Sequence, residues 1–288
     1  KGRYRTVFSF AAEPLSGRRN LLIPRSSCVY VGAMDKVASG KIAFWEGGSL
    51  WVLDVPTGEA TPDRIAMHSH HAFQLTFSLG GDFGLHLEDQ FVGGPFAVVA
   101  PDTPHAFEAQ GLISLLFIEP ESRAGRALAE LMRGEPASQL STEKVRDAPA
   151  LFKTAFEHPR NPVEALTAAG KEVAARIAAH VRTTEPDRRV RQIIKWASEN
   201  LDGAVTMSDA ARAVGLSRSR ASHLFVEETG LPFRTYVLWL RLVRAVDAHI
   251  RGANLTDAAQ QAGFSDSAHF SRTFRRMFGL PAAALKMS

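Results

Sequence analysis

The spacing of apolar positions changes about midway along the chain. From about residue 20 to residue 120, short runs rich in Val, Phe and Leu alternate apolar and polar positions and are broken by Gly and Pro, as in KIAFWEGGSLWVLDV and FQLTFSLGGDFGLHLED. A period of two is typical of strands with one buried face, and many short strands between turns are typical of antiparallel sandwiches and barrels. The pattern therefore predicts an antiparallel β-domain over residues 1–122.

The pattern becomes helical after residue 122. The runs AGRALAELMRG and VEALTAAGKEVAARIAAHV predict helices in a region that extends over 123–185, and the turn-like TTEPDR at 183–188 is the predicted linker. Nearly every segment of 186–288 is predicted to be helical, with N-caps at Ser208 and Thr256. The predicted helix stops are Gly215, Gly230, Gly252, Gly263 and Gly279.

The C-terminal region contains an internal repeat. SDAARAVGLSRS, at 208–219, aligns with TDAAQQAGFSDS, at 256–267, and SHLFVEETGLP then aligns with SRTFRRMFGLP. Each copy is a short capped helix, a Gly-containing turn and a longer helix, which is the organisation of a helix-turn-helix. A plain helical bundle would explain the apolar spacing but not the repeated turn. We predict two units, at about 206–231 and 254–280.

Charge is distributed unevenly along the chain. Residues 186–288 hold 15 Lys and Arg against 9 Asp and Glu, whereas residues 1–185 hold 19 against 21, within a total formal charge of +4. The excess of cations therefore lies in the region that carries the repeat, which suggests a polyanionic partner for that region.

The chain has the composition of an ordinary globular protein, with 45% apolar and 22% charged residues. Its one cysteine, Cys28, rules out an intramolecular disulfide and fits a reducing compartment. No apolar run approaches the length of a spanning helix, and the first residues lack the apolar core of a signal peptide. These features favour a cytoplasmic location.

The repeated region resembles the DNA-binding domain of the AraC/XylS family of bacterial transcription regulators. The resemblance rests on AAQQAGFSDSAHFSRTFRRMFGLPAAALK and, with departures at Ala221 and His223, on LSRSRASHLFVEETGLPFRTYV. It covers about 100 residues. It implies an all-α domain with two helix-turn-helix units joined by one long helix, and it implies double-stranded promoter DNA as partner. The N-terminal half is similar to the cupin-like barrel that commonly serves this family as sensor.

The resemblance also implies which side chains meet DNA. Arg272 is the best candidate for a forked contact with guanine, whereas His223 can donate one hydrogen bond but not a fork. The residues expected to face bases are Ser219, Arg220, Ser222, His223, Ser267, Ala268, Ser271 and Arg272. The residues expected to grip phosphate are Arg218, Arg275 and Arg276.

The helix predicted between the two units, at 232–251, has two faces. At 100° per residue one face collects apolar side chains, which can clamp both units, and the opposite face collects arginines that either border DNA or are solvated. The apolar face holds Trp239, Leu242, Val243, Val246 and Ile250, and the basic face holds Arg234, Arg241, Arg244 and Arg251.

The stretch MHSHHAFQ, at 67–74, places three histidines within four residues. Metal-binding cupins have His-x-His, a Glu four residues after the second His, a Gly beyond it and a third His on a later strand. Here His68, His70 and His105 match the histidines, but Gln74 replaces the Glu. Alternation along a strand predicts that His68, His70 and Gln74 point into the barrel and that Phe73, Leu75 and Phe77 point out. His71 is predicted to lie on the surface.

Three interpretations of this cluster stay open. His68, His70 and His105 can hold Zn²⁺, Ni²⁺, Mn²⁺ or Fe²⁺; together with Gln74 they can bind an organic effector; or the histidines are structural. The function predicted from the whole chain is a non-enzymatic DNA-binding regulator controlled by a small-molecule or metal effector. The alternative is a metal-dependent cupin enzyme with an appended nucleic-acid-binding domain.

A homodimer is also predicted, because AraC-like proteins commonly pair through the segment between their domains. The helices at 123–133 and 163–182 would form the interface, through a stripe that contains Val173, Ile177, His180 and Val181. The competing interpretation is that this stripe packs on the chain's own barrel.

Overall fold

The computed structural model describes residues 29–33, 36–57, 64–139, 143–179, 181 and 185–287. Cys28, His180 and the first two residues of the predicted linker lie outside the described residues. The strands are β1 Val29–Ala33, β2 Lys36–Trp45, β3 Gly48–Val55, β4 Ile65–His68, β5 Phe73–Ser78, β6 Asp82–His86, β7 Phe91–Gly93, β8 Phe96–Val99, β9 His105–Ile118, β10 Ala137–Ser138 and β11 Leu285–Met287. The helices are α1 Arg123–Met132, α2 Ala148–Phe156, α3 Pro162–Ala178, α4 Arg188–Glu199, α5 Met207–Ala213, α6 Arg218–Thr229, α7 Phe233–Ile250, α8 Leu255–Gln261 and α9 Ser267–Phe278.

The strand pairings in the sheet are antiparallel, and strand β9 joins its two halves. The end of β9 pairs with β3 and β5, whereas its beginning pairs with β4 and β6. The order along the main path is β10-β8-β5-β9-β3-β2-β1-β11. One long strand that hydrogen-bonds in both halves bends the sheet around an interior, which confirms the predicted cupin-like barrel.

Strand β11 joins the last described residues to the first strand of the sheet. It follows the second helix-turn-helix unit and pairs with β1, with Val31 opposite Leu285. The sequence analysis did not predict this strand, because its residues follow a helical region and are too few to show a period. The C-terminal domain is therefore helical except for its last residues, which extend the N-terminal sheet.

Helices α1, α2 and α3 cover the outer face of the sheet. Phe73, Leu75 and Phe77 on β5 are buried in one cluster with Phe152 of α2 and Leu166 of α3. The prediction that these β5 side chains point away from the barrel interior is therefore confirmed. The sequence analysis predicted helices at α1 and α3 but did not identify α2.

The stripe predicted to form the dimer interface packs inside the monomer. Val173 is 0% exposed and Ile177 is 5% exposed, and both belong to the cluster under the sheet, with Val181 packed partly against it. The stripe was misassigned because an apolar helix face does not reveal whether its partner is another copy or the chain's own sheet. A dimer would need a different surface of these helices.

The C-terminal domain contains the two predicted units. Helices α5 and α6 form the first, α8 and α9 form the second, and α7 joins them. The short helices begin two residues earlier than predicted, because the side chains of Thr206 and Asn254 accept hydrogen bonds from the backbone N–H groups of Asp209 and Asp257. No helix of the described ranges is long and apolar enough to cross a bilayer.

The two units belong to different hydrophobic cores. The first unit packs with α4 and the first half of α7, through residues such as Phe225 and Tyr236. The second unit and the rest of α7 share one continuous cluster with the barrel interior, which runs from Trp51 and Phe117 to Phe274. The barrel and the second unit are therefore packed as one body of apolar side chains.

We expect Gly170→Ala to destabilise the protein, although alanine is the better helix former by about 1 kcal/mol. A Cβ atom on Gly170 of α3 would overlap the indole ring of Trp45 at the end of β2. Overpacking of this kind costs about 1 to 3 kcal/mol. Chemical denaturation measures the free energy of unfolding. Gly203→Ala is the matched control, since nothing lies within 4 Å of the added atom, and a stabilised Gly170→Ala variant would contradict the packing of α3 on the sheet.

Candidate effector site and nucleic-acid interface

Three histidines converge inside the mouth of the barrel. His68 ends β4 and lies opposite His105, the first residue of β9, while His70 lies in the loop that leads to β5. One ring nitrogen from each lies within 4.8 Å of the others. We call His68, His70 and His105 the histidine triad. The structure thus brings together the residues that the sequence predicted, with Gln74 beside them on β5.

The backbone fixes which ring nitrogen of each triad histidine carries hydrogen. The Nδ1 atoms of His68, His70 and His105 lie 2.8, 2.9 and 2.8 Å from the carbonyl oxygens of Ala66, Ala72 and Thr103. A carbonyl oxygen can only accept, so each Nδ1 donates and each Nε2 keeps its lone pair in the neutral ring.

Burial keeps these rings neutral. Loss of solvent, together with repulsion from His105, lowers the pKa of His68 from 6.5 to about 4. Burial also lowers the pKa of His70 and of His105, and for His70 the neighbouring histidines add to the effect. The triad therefore presents uncharged hydrogen-bond acceptors near neutral pH.

Within the part of the chain that the structure describes, one triad nitrogen has a polar side-chain partner. The Gln74 carboxamide lies 3.0 Å from Nε2 of His70 and 3.3 Å from the Thr76 hydroxyl. As placed, Oε1 of Gln74 faces His70 and its NH₂ group donates to Thr76. Because Nε2 of His70 is an acceptor, the amide satisfies both neighbours when it is turned over, so that its NH₂ group donates to His70 and its oxygen accepts from Thr76. Nε2 of His105 is buried and has no hydrogen-bond partner among the described residues.

The C-terminal end of α9 closes the barrel mouth. Phe278 is the last residue of α9. Its ring centroid lies 5.2 Å from that of Trp51, 6.0 Å from that of Phe117 and 6.3 Å from that of His70. Gly279 follows with φ +73°, and a Cβ atom there would lie 2.8 Å from Nδ1 of His68. The second helix-turn-helix unit therefore touches the triad directly, which the sequence analysis did not anticipate.

The prediction that His71 lies on the surface is wrong. His71 is 2% exposed, its Nε2 lies 3.1 Å from a Glu121 oxygen, and its ring packs edge-on against Tyr236 and Trp239 of α7. Strand alternation does not apply here, because residues 69–72 form a loop between two strands. Burial alone would lower the pKa of His71, but the carboxylates of Asp102 and Glu121 raise it to about 9.

Two acidic residues tie α7 to the barrel. Glu121 accepts a hydrogen bond from the Tyr236 hydroxyl, and Glu119 accepts one of 3.2 Å from the Trp239 indole. Burial and the neighbouring Glu121 raise the pKa of Glu119 to about 8. We call His71, Glu119, Glu121, Tyr236 and Trp239 the interdomain latch. Its sequence signal is two acidic residues directly after an apolar strand, in FIEPES.

The predicted base-facing residues lie on accessible faces of the two longer helices. The three predicted phosphate contacts are exposed as well, so docking of the domain on the barrel leaves both faces open. The exposed residues are Arg218, Ser219, Arg220, His223, Ala268, Arg272, Arg275 and Arg276, and the partly exposed ones are Ser222, Ser267 and Ser271.

The basic face of α7 is partly used within the domain. Arg241 donates to the carbonyl oxygens of Leu201 and Gly203, and Arg244 forms a 2.7 Å ion pair with Asp202. Both arginines therefore hold the turn after α4, a role that neither predicted alternative included. Arg251 pairs with Asp247 one turn away, and Arg234 is exposed.

Sequence comparison finds similar proteins for the repeated region. Residues 210–287 match the profile of a helix-turn-helix domain family. The transcriptional activator NphR of Rhodococcus sp. is 35% identical over 137 residues, which cover 46% of this chain and 39% of NphR. The transcriptional activator RhaS of Enterobacter sp. (strain 638) is 33% identical over 95 residues, which cover 32% of this chain and 34% of RhaS. The chain thus spans between about a third and two fifths of these relatives' length.

Structure comparison extends over both domains. A variant of ToxT from Vibrio cholerae superposes with a TM-score of 0.57 at 8% identity, over 84% of this chain and 97% of that one. Wild-type ToxT with a bound unsaturated fatty acid gives a TM-score of 0.52 at 12% identity, over 82% and 93%. At this identity the likeness shows a shared fold.

We expect the stability of the protein to fall as pH rises from about 6.5 to 9. The pKa values of His71 and Glu119 are both raised in the folded state, so each group binds its proton more tightly there and favours the fold at low pH. The contribution of His71 is lost between pH 6.5 and about 9, and that of Glu119 between pH 4.5 and about 8. Glu119→Gln removes one of the two contributions, so its loss of stability over this range is smaller by about 1 to 2 kcal/mol.

Thermal denaturation of both proteins at closely spaced pH values measures this difference. Glu130→Gln, at an exposed position of α1, is the control and follows the wild type. Parallel pH profiles for wild type and Glu119→Gln would show that Glu119 is ionised in the folded protein.

Proposed function

We propose that this chain, whose C-terminal domain belongs to the AraC/XylS type of helix-turn-helix domain, is a sequence-specific transcription regulator controlled by an effector in its barrel. One observation carries the proposal. The chain presents two accessible recognition helices, and the end of the second one closes a buried cluster of neutral histidines in the barrel. The activator names of the relatives support a regulator and not an enzyme.

In the proposed complex α6 and α9 enter the major groove of double-stranded DNA. Their accessible faces would read bases, with Arg272 forked onto guanine, and Arg218, Arg275 and Arg276 would position the protein on phosphates. His223 can donate one hydrogen bond but cannot form the two-pronged contact of an arginine. We therefore expect the first unit to discriminate bases less sharply than the second.

The length of α7 sets the spacing of the proposed contacts. Its 18 residues span about 27 Å, and successive major-groove segments on one face of B-DNA are about 34 Å apart. One subunit would therefore occupy two adjacent segments, about 17 to 20 base pairs, with the duplex bent to absorb the difference. A footprint of one segment would contradict the use of both units.

The effector would bind at His68, His70, Gln74 and His105. A ligand there would lie beside Phe278 of α9, so any effect of its binding on DNA binding would be matched by an equal effect of DNA binding on its own affinity. If His68→Ala and His105→Ala respond to an inducer as the wild type does, the histidines are structural.

A divalent metal is the second candidate for this site. Three neutral imidazoles with backbone-bonded Nδ1 atoms are a common donor set for Zn²⁺. Gln74 in place of a carboxylate removes a charge that a hard cation would use. Elemental analysis of protein purified without chelator tests this candidate, and metal that persists in His68→Ala would place the ion elsewhere.

We further propose a cytoplasmic bacterial homodimer. Promoter DNA requires that location, and a dimer would use the outward faces of α1 and α3, because the apolar stripe of α3 is buried within the monomer. Light scattering at tens of micromolar tests the dimer, and a monomer that binds DNA tightly would contradict it.

We expect Arg272→Ala and Arg276→Ala to weaken DNA binding in different ways. On a site selected from random sequences, Arg272→Ala costs about 1 to 3 kcal/mol, while affinity for unselected DNA barely changes, because a base contact is lost. Arg276→Ala weakens both and reduces the salt slope by about one unit, because a phosphate contact is lost.

Fluorescence anisotropy over a range of salt concentrations measures these affinities. Arg123→Ala, at an exposed position beside the barrel, is the control and changes neither. Equal losses on selected and unselected DNA for Arg272→Ala would refute its role in reading bases.

A further inference from the structure

The triad has a defined hydrogen-bonding polarity. Its three Nδ1 atoms donate to backbone carbonyls, so its three Nε2 atoms can only accept. Nε2 of His105 is buried without a partner among the described residues, which leaves one strong acceptor unsatisfied. A group that enters the site must therefore bring an O–H or N–H donor, or a cation.

The space beside the triad is shaped for an aromatic ring. The ring of Phe278 is surrounded by the rings of Trp51, Phe117, Trp239 and Phe274, at centroid distances of 5.2, 6.0, 6.5 and 4.9 Å. We call these four side chains the aromatic box. The ring of Phe278 has no polar atom, so it offers no donor to His70, whose ring centroid lies 6.3 Å away.

The site favours an uncharged guest. No hydrogen bond or ion pair links a charged side chain of the described residues to the triad, whose contacts are three backbone carbonyls and the neutral Gln74 carboxamide. A buried carboxylate would be left without a counter-charge, which is strongly unfavourable. A cation would find neutral nitrogens but no carboxylate, and one nitrogen already bonded to Gln74.

We propose that the effector is a neutral hydroxylated aromatic ring, a phenol, that takes the place of Phe278 in the aromatic box and donates its O–H to His105 Nε2. The proposal rests on the proposed function, in which the barrel is the effector domain. The ring of the ligand keeps the apolar contacts that Phe278 makes, and the hydroxyl satisfies the acceptor that Phe278 leaves bare.

Binding of the phenol and docking of α9 exclude each other. Phe278 is the last residue of α9, so its ring leaves the box only when the end of the recognition helix moves. The chain's own phenylalanine is therefore a competitor of the ligand, and removing it increases the affinity for phenol.

The full chain is titrated with phenol, toluene and benzoate, with binding followed by calorimetry and by the fluorescence of the neighbouring Trp51 and Trp239. We expect Phe278→Ala to bind phenol at least ten-fold more tightly than the wild type and to prefer phenol to toluene by at least ten-fold. In the double variant Phe278→Ala/His105→Leu the preference for phenol over toluene disappears.

Phe270→Ala is the matched control. Phe270 is a fully buried aromatic residue of the same helix and is not among the rings around Phe278. The substitution therefore destabilises the domain without emptying the box, and phenol affinity stays at the wild-type value. An equal gain in Phe270→Ala would mean that general loosening of the domain admits the ligand, which overturns the proposal.

Other outcomes also overturn it: equal phenol affinity in wild type and Phe278→Ala, equal binding of toluene, preferred binding of benzoate, or binding of Zn²⁺ without binding of phenol. DNA affinity is measured on the same samples. If the protein binds a selected DNA site tightly but binds no phenol, the phenol proposal fails and the proposed function as a regulator stands. If the protein binds phenol as expected but binds no DNA, the proposed function fails and the phenol site stands.

Discussion

The burial of Phe278 in the mouth of the barrel is the contact on which the arrangement of the two domains depends. Its ring joins the aromatic side chains of the barrel interior to those of α9, so that one apolar cluster serves both. Exposing a phenylalanine side chain costs about 1.5 to 3 kcal/mol. The barrel and the second helix-turn-helix unit therefore stabilise each other. The first unit has a core of its own and is held to the N-terminal domain by polar contacts, Tyr236 with Glu121 and Glu228 with Arg126.

The loop between β4 and β5 contributes one histidine to each of two clusters that differ in chemistry. His70 belongs to the neutral triad, and the adjacent His71 belongs to the charged interdomain latch that holds α7. Because docking leaves both recognition faces accessible, it does not regulate by covering them. In the proposed function an effector instead changes how the second unit is oriented relative to the barrel. Such coupling acts in both directions.

The sequence predicted the parts of this structure that depend on local pattern. Period-two runs predicted the barrel, and the internal repeat predicted both helix-turn-helix units. That His68, His70 and His105 come together was predicted from the likeness to the cupin pattern. It did not predict what depends on contacts between distant segments. The burial of His71 and Val173, the insertion of Phe278 and the pairing of β11 with β1 follow from which surfaces cover one another. The sequence of a single helix face or of a three-residue strand does not show which segment it packs against.

The docking of the two domains is tested most directly by the distance between them in solution. Spin labels attached to cysteines at the exposed positions Asp89, on the barrel, and Ala268, on α9, with Cys28 replaced by serine, report that distance by pulsed electron resonance. A docked second unit gives one narrow distance distribution in the free protein, and Phe278→Ala broadens it. A broad distribution in the otherwise native chain, unchanged by Phe278→Ala, would show that the barrel does not hold the second unit.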